Sequence, residues 1–285
     1  MAFNDPAIIL AAYGTGTRGI DTYRSMDRWF VRRFEEHRIV WAFTSGYLLK
    51  STQPRIRDQV LPLEDTVRKV QESGGRSCVV QSLHVWPAEE YHGIIETLSN
   101  ARLPLGISVG APLIMGHSDF DPVLDMLAPD LTFGIREAVV LVAHGTGHSG
   151  IALYHAFGNR VRERFGEKVW LELVREPESA VGLRDRAIRL GVKRIRFVPF
   201  MMVAGRHVLK DVMGDQAASW RSQLRSAGVE SVCEAPALGS RPDVFEKFCT
   251  RIEDAVLSLT SEGNPRADGH VILPKGPISA NDTSR

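Results

Sequence analysis

The sequence predicts an α/β protein written twice: two similar halves, each a parallel sheet covered by helices on both faces. Three observations predict it. Apolar runs of strand length alternate with longer amphipathic stretches, the βαβα signature of parallel sheets. IILAAYGTGTRGIDTYR near the start returns as VVLVAHGTGHSGIALYH 131 residues later. Weaker echoes then follow each copy in the same order.

The strands are expected at 7–13, 39–43, 77–84 and 106–109, and again at 138–143, 168–174, 194–200 and 230–234. Each is a short, mostly apolar run that ends in glycine, proline or small polar residues. Laying 7–34 over 138–165 gives identity at 11 of 28 positions, among them Leu10/Leu141, Ala12/Ala143, three glycine pairs, Tyr23/Tyr154 and Phe34/Phe165. Chance would give about two, at background residue usage. At offset 117, VVQSLHVWPAEEY (79–91) lies over RFVPFMMVAGRHV (196–208), where the pattern rather than identity carries the match. A third echo sets APLIMGHSDF (111–120) beside APALGSRPDVF (235–245).

The expected division is therefore 1–125, 126–261 and a tail, with the junction near 122–137. Residues 262–285, rich in Pro, Gly, Ser, Asn and Asp, are read as a flexible tail with His270 in it, because so little apolar area does not offset its ordering entropy.

Composition excludes several classes of function. With 285 residues, 44% hydrophobic, the chain can bury a substantial core. Thirty-five Lys and Arg against 34 Asp and Glu leave a net charge of +1, so no basic field argues for nucleic acid or an anionic membrane. No apolar run reaches the ~18–20 residues needed to span a bilayer, and the N-terminus has no basic stretch ahead of its apolar one. The cytoplasm is the expected location. Cys78, Cys233 and Cys249 are widely spaced and match no disulfide or zinc pattern. A homo-oligomer is compatible with the sequence, which does not specify one.

Ligands of open parallel sheets bind beyond the carboxyl ends of the strands, so the residues just after each apolar run matter most. Tyr13 and His144 hold matching places before the first glycine of each copy, and Glu90 aligns with His207 after the third strands. Each glycine stretch also reads G-x-G-x-x-G, the outline of a dinucleotide turn. The first copy lacks the acid expected about 20 residues on for a ribose. The second has Glu172 and Glu176, which keeps a nucleotide-dependent oxidoreductase as an alternative. A G-x-G-x-x-G alone is a weak signal, and tight strand-to-helix turns that need glycine for backbone reasons cover Gly14, Gly16, Gly145 and Gly147 well.

Imidazole and carboxylate together suit divalent Co, Fe, Ni or Zn in an open site. A single histidine after a strand more often hydrogen-bonds its loop, but three donors at matched strand ends reinforce one another. His148, His84, His117 and Glu89 lie near the same edge as secondary candidates. His37, His92 and His155 fall in charge-rich helical stretches.

AFTSGYLL (42–49), VQSLHVWPAEEY (80–91), APLIMGHSDF (111–120), VAHGTGH (142–148) and VPFMMVAGRHVLKDVMGDQAASW (198–220) together resemble the anaerobic-pathway sirohydrochlorin cobaltochelatases, class II chelatases related to ferrochelatase. The likeness runs from about residue 7 to 258. It implies two flavodoxin-like or Rossmann-like domains with a tetrapyrrole cleft between them. It also implies metal insertion without ATP or any organic cofactor, through a metal site of His144, Glu90 and His207. His144 and His207 would be the catalytic histidines, one of them a base. Sirohydrochlorin is a polycarboxylate, so Arg18 and Arg206 are candidate contacts, with Tyr13 and Trp86 against the ring. Met201 and Met202 could also pack on the ring, with apolar core an equal or better reading for both.

The chain departs from the family pattern in two places. Where the family has A-G-D-H-A and then Asn-Asp-Met, this chain has Ala204-Gly205-Arg206-His207-Val208 and then Lys210-Asp211-Val212. Where the family tends to have a glutamate before Tyr-Pro, this chain has Val174 and then Arg175-Glu176-Pro177. The expected activity is insertion of Co²⁺ into sirohydrochlorin for cobalamin synthesis. Fe²⁺ insertion for sirohaem, with Ni²⁺ a further candidate ion, and a non-catalytic tetrapyrrole or metal carrier are the alternatives.

Overall fold

The computed structural model describes residues 4–16, 19–176, 178–260 and 270–276. All eight expected strands form: β1 (Asn4–Ala12), β2 (His37–Phe43), β4 (Ser77–Ser82), β5 (Gly106–Gly110), β6 (Glu137–Ala143), β7 (Val169–Leu173), β8 (Arg194–Pro199) and β9 (Glu230–Val232). Two short strands join them, β3 (Leu61–Pro62) and β10 (Val271–Leu273). The chain divides into two compact units, Met1–Met115 with Phe245–Arg285, and Gly116–Val244.

The first sheet has the order β10-β5-β4-β1-β2-β3 and the second β7-β6-β8-β9. Without the two short edge strands, the first reads β2-β1-β4-β5 in mirrored direction, the same 2-1-3-4 order as the second. β1 to β5 run parallel, as do β6 to β9. The central strands are apolar throughout because both faces are covered: Ile8 to Ala12 and Ala138 to Ala143 are all fully buried.

The helices that cover the first sheet include α1 (Ile20–Arg33), α2 (Gly46–Thr52), α3 (Leu63–Glu72) and α4 (Glu89–Ala101). On one face Val67, Val70, Tyr91, Ile94 and Leu98 pack on Ile9, Val80 and Ile107. After α5 (Phe120–Leu127), the second unit is covered by α6 (Ile151–Phe165), α7 (Ser179–Arg189) and α8 (Trp220–Ser226). Leu183, Ala187, Trp220 and Leu224 close over Val140, Val142 and Phe197 there.

The repeat reaches down to individual hydrogen bonds at the carboxyl ends of the strands. Thr44 and Ser45 N–H donate to the carbonyls of Ala12 and Tyr13, as Val174 and Arg175 N–H donate to those of Ala143 and His144. Leu83 N–H reaches Ala11 as Phe200 N–H reaches Val142. Leu113 N–H reaches His84 as Leu238 N–H reaches Met201. Tyr13 and His144 are thus equivalent in backbone pairing as well as in sequence. Gly14 and Gly145 turn the chain with φ of +105° and +82°. A Cβ on Gly14 would lie 2.7 Å from the Phe43 ring, so that position needs glycine on two counts.

Three expectations about organisation change. The chain leaves the first unit at Met115, earlier than 125. It returns at Phe245: most of α9 (Pro242–Thr260) covers the first sheet, with Phe245 against Trp29 and Phe30 at 5.6 and 6.3 Å and Ser258 Oγ 2.9 Å from Ser108 Oγ. The tail reading fails for 270–276. β10 pairs antiparallel with β5, Val271 opposite Val109, and His270 and Leu273 are buried. A short apolar segment there caps what would otherwise be an open sheet edge. Residues 262–269 and 277–285 lie outside the described residues.

Cys78 and Cys249 are buried, Cys233 is half-buried, and all three are free thiols. Among the described residues, no helix is long and apolar enough to cross a membrane.

Candidate metal-handling site

In a 2-1-3-4 sheet the chain reverses its winding direction between the first and third strands, and a crevice opens at their carboxyl ends. β1 and β4 are that pair in the first unit, β6 and β8 in the second. The strongest sequence candidates lie on the segments that leave these strands.

In the second unit, His144 follows β6 directly and is exposed. His207 opens a π-helical turn, His207–Val212, on the segment after β8 and is half-exposed. Their rings meet edge to face, centroids 4.7 Å apart and planes at 73°. His144 Nδ1 lies 3.0 Å from the Gly145 carbonyl oxygen, and His207 Nδ1 lies 2.6 Å from Asp211 Oδ2. Both partners accept hydrogen bonds. Each Nδ1 therefore carries a proton, so in the neutral ring the lone pair falls on Nε2, the nitrogen through which such an imidazole binds a metal or takes a proton.

In the first unit, Glu90 sits in the first turn of α4 and accepts a hydrogen bond from Thr44 Oγ1 at 2.8 Å. Thr44 itself follows β2, so two strand ends converge on one carboxylate. Burial pushes the Glu90 carboxyl above its usual range, while the Thr44 hydrogen bond pulls it down and neighbouring Glu89 adds a smaller upward push. Tyr13, the counterpart of His144, is 49% exposed.

The structure brings His144 and His207 together, and Glu90 stands in the other unit. Among the described residues, no three His, Cys, Asp or Glu side chains converge as a metal cage. Arg206 is exposed immediately before the π-helical turn. Trp86 is buried, at 5% exposure, and Met202 is buried, while half-buried Met201 packs against the second core. Arg18 lies outside the described residues.

The secondary candidates have other occupations. The His148 ring accepts the Gly150 N–H at 3.0 Å, and its backbone N–H bonds Thr146 Oγ1, which caps the glycine turn. His117 opens a short 3₁₀ turn with its ring 4.7 Å from Phe120. Exposed Glu89 opens α4 beside Glu90. His37 donates to the Pro6 carbonyl at 2.8 Å. His92 lies against Tyr91, and His155 is exposed on α6. His84 is buried beside Ser82, Oγ to Nδ1 2.9 Å.

Glu172, one of the two acids that kept a dinucleotide reading open, is largely buried and accepts from Arg186 at 2.7 Å; that guanidinium also lies 5.1 Å over the Trp170 ring. It braces β7 against α7, whereas Glu176, the second of the two acids, is exposed in the turn beyond β7. Sequence reasoning missed Thr44 and Asp211. The signals were present: Thr44 follows a strand, and Asp211 stands four residues after His207.

The family model described as cobalt chelatase (CbiK) matches residues 6–257. The sirohydrochlorin cobaltochelatase CbiKC of Nitratidesulfovibrio vulgaris is 30% identical over 231 residues, which cover 79% of this chain and 81% of that protein. The sirohydrochlorin cobaltochelatase of Salmonella typhimurium is 26% identical over 226 residues, 78% of this chain and 84% of that protein. Among solved structures, SirB from Bacillus subtilis with Fe³⁺ overlays with a TM-score of 0.61 at 14% identity, covering 90% of this chain and 97% of that one. The sirohydrochlorin chelatase SirB in complex with cobalt, from Bacillus subtilis subspecies spizizenii, gives 0.58 at 13% identity, covering 88% and 95%. These last two likenesses speak to the fold.

Proposed function

This chain belongs to the cobalt chelatase (CbiK) family, and on that premise we propose that it inserts Co²⁺ into sirohydrochlorin, with His144, His207 and Glu90 handling the metal and the displaced protons. The observation that carries the reading is the histidine pair: two imidazoles with ring centroids 4.7 Å apart, on the segments that follow the first and third strands of the second unit, each with Nδ1 tied down so that Nε2 is the nitrogen left to bind metal.

Metal insertion exchanges two pyrrole protons for one divalent ion. The site must therefore hold a partly desolvated cation and accept protons at neutral pH. Imidazole, with an ordinary pKa near 6.5, suits both tasks. Glu90 adds a negative charge that favours metal capture, and its raised pKa brings the carboxylate closer to the range of a useful proton acceptor. Exposed Tyr13 offers ring area to a macrocycle, and exposed Arg206 a cation for its carboxylates. Arg18 belongs to the same proposed set, whereas buried Trp86 is better placed to support the site than to touch substrate. The proposal includes no ATP and no organic cofactor.

Nitrogen and carboxylate donors barely separate Co²⁺ from Fe²⁺ or Ni²⁺. Cobalt is preferred from the family description and the names of the relatives. The test is to mix purified protein with sirohydrochlorin and Co²⁺ without oxygen and follow the loss of the metal-free spectrum. A rate above the uncatalysed one supports the enzyme, and an equal rate leaves at most a carrier.

Thr44→Val gives a further check with a definite sign. The Thr44 hydrogen bond lowers the Glu90 pKa, so its loss raises that pKa. The acid side of the pH–rate profile should move to higher pH in the variant, and an unmoved profile would separate Glu90 from turnover.

A further inference from the structure

The π-helical turn His207–Val212 has two unlike faces. Val208 and Val212, four residues apart, are buried and anchor it, Val212 within the second core. His207 and Asp211, also four apart, stand on the other side with side chains 44% and 47% exposed. The turn closes with Met213 N–H on the Val208 carbonyl at 2.9 Å. Beyond it the chain folds back so tightly that a Cβ on Gly214 would run into the Lys210 carbonyl oxygen. Its backbone is thus held by groups other than the His–Asp pair.

A half-exposed pair of this kind adds little to stability. Its hydrogen bond is nonetheless short, 2.6 Å from Nδ1 to Oδ2. The equivalent contact of His144 is longer, 3.0 Å, and ends on a neutral carbonyl. A carboxylate behind an imidazole fixes the tautomer and raises the electron density at the opposite nitrogen, as partners behind metal-binding histidines generally do.

We propose that Asp211 is a positioning residue for metal transfer: it locks His207 with the proton on Nδ1 and makes Nε2 of His207 the stronger metal donor of the histidine pair. The inference rests on the reading of this site as a chelatase centre. It assigns the two histidines unequal parts, with His207 holding the cation more tightly than His144.

The test uses the full chain, its Asp211→Ala and Asp211→Asn variants, and Co²⁺ alone as probe, titrated by visible absorption and calorimetry. Asp211→Ala should weaken Co²⁺ binding by about 10–100-fold. It should raise KM for Co²⁺ in the metallation assay while leaving KM for sirohydrochlorin and the melting temperature within about 2 °C unchanged. Asp211→Asn, which keeps an acceptor oxygen but no charge, should fall between. Co²⁺ binding within about two-fold of the natural chain in both variants would overturn the proposal. So would joint loss of melting temperature and both KM values, the mark of a structural role. An Asn variant equal to the natural chain would overturn the part given to charge. If the natural chain does not accelerate metallation, the chelatase reading fails by itself, and the Co²⁺ titration still decides whether Asp211 supports His207.

Discussion

His207→Ala is expected to cut the rate of Co²⁺ insertion into sirohydrochlorin by about 100-fold or more, the scale of losing a group that both binds metal and accepts a proton. The fold should survive. His207 is half-exposed at the start of its turn, and buried Val208 and Val212 hold that turn to the second unit. Circular dichroism and melting temperature should therefore match the natural chain. His144→Ala should cost a comparable factor, and the double variant little more than either single one, because residues that act as a unit are not additive. Turnover retained in His207→Ala would refute the site assignment, and lost turnover with a lost fold would call for His207→Gln instead.

The second large effect lies in the first unit and concerns stability in acid. His84 is buried at the end of β4, and burial holds its pKa down to about 4 from 6.5. Its Nδ1 faces Ser82 Oγ, and among the described residues its Nε2 has no hydrogen-bond partner. The sign follows from linkage: the folded pKa is depressed, so the unfolded chain takes up the proton first as pH falls. The stability is present in full above pH 6.5 and drains away between about 6.5 and 4. Over that window the loss is about 3 kcal/mol, at 1.36 kcal/mol per pKa unit. His84→Asn keeps a partner for Ser82 and cannot titrate there. Urea unfolding at pH 7.5 and 4.5 should show a markedly smaller loss in the variant. Equal losses would mean that His84 is protonated in the folded protein.

The two-fold architecture was legible because its cause is local. Strands buried on both faces must be apolar along their whole length, and a strand-to-helix turn at positive φ needs glycine, so both copies keep Leu10/Leu141 and Gly14/Gly145 recognisable. Those residues placed His144 and Tyr13 at equivalent backbone positions, and the structure repeats the equivalence in the hydrogen bonds from Ser45 and Arg175. The path of α9 was not legible. Helical periodicity says which face of Val244, Phe245, Phe248 and Ile252 is buried, not which sheet buries it. Nor was β10, a three-residue strand inside a Pro- and Gly-rich stretch whose partner is more than 160 residues away (271 against 109).

The site divides in the same way. His144, His207 and Glu90 stood out because strand ends can be counted along the chain. Thr44 and Asp211 act through contact, and contact depends on backbone geometry: a turn at the end of β2 for one, a π-helical turn for the other. Trp86 shows the converse limit. Its position near a strand end suggested a substrate face, whereas its burial is a property of the packed chain.

The measurement that bears most directly on the assignment is anaerobic metallation of sirohydrochlorin with Co²⁺, Fe²⁺ and Ni²⁺ in parallel, natural chain against His207→Ala and against no protein. A cobalt chelatase should accelerate Co²⁺ insertion with the highest kcat/KM of the three ions, and His207→Ala should fall back toward the uncatalysed rate. Equal rates with and without protein for every ion would contradict the account.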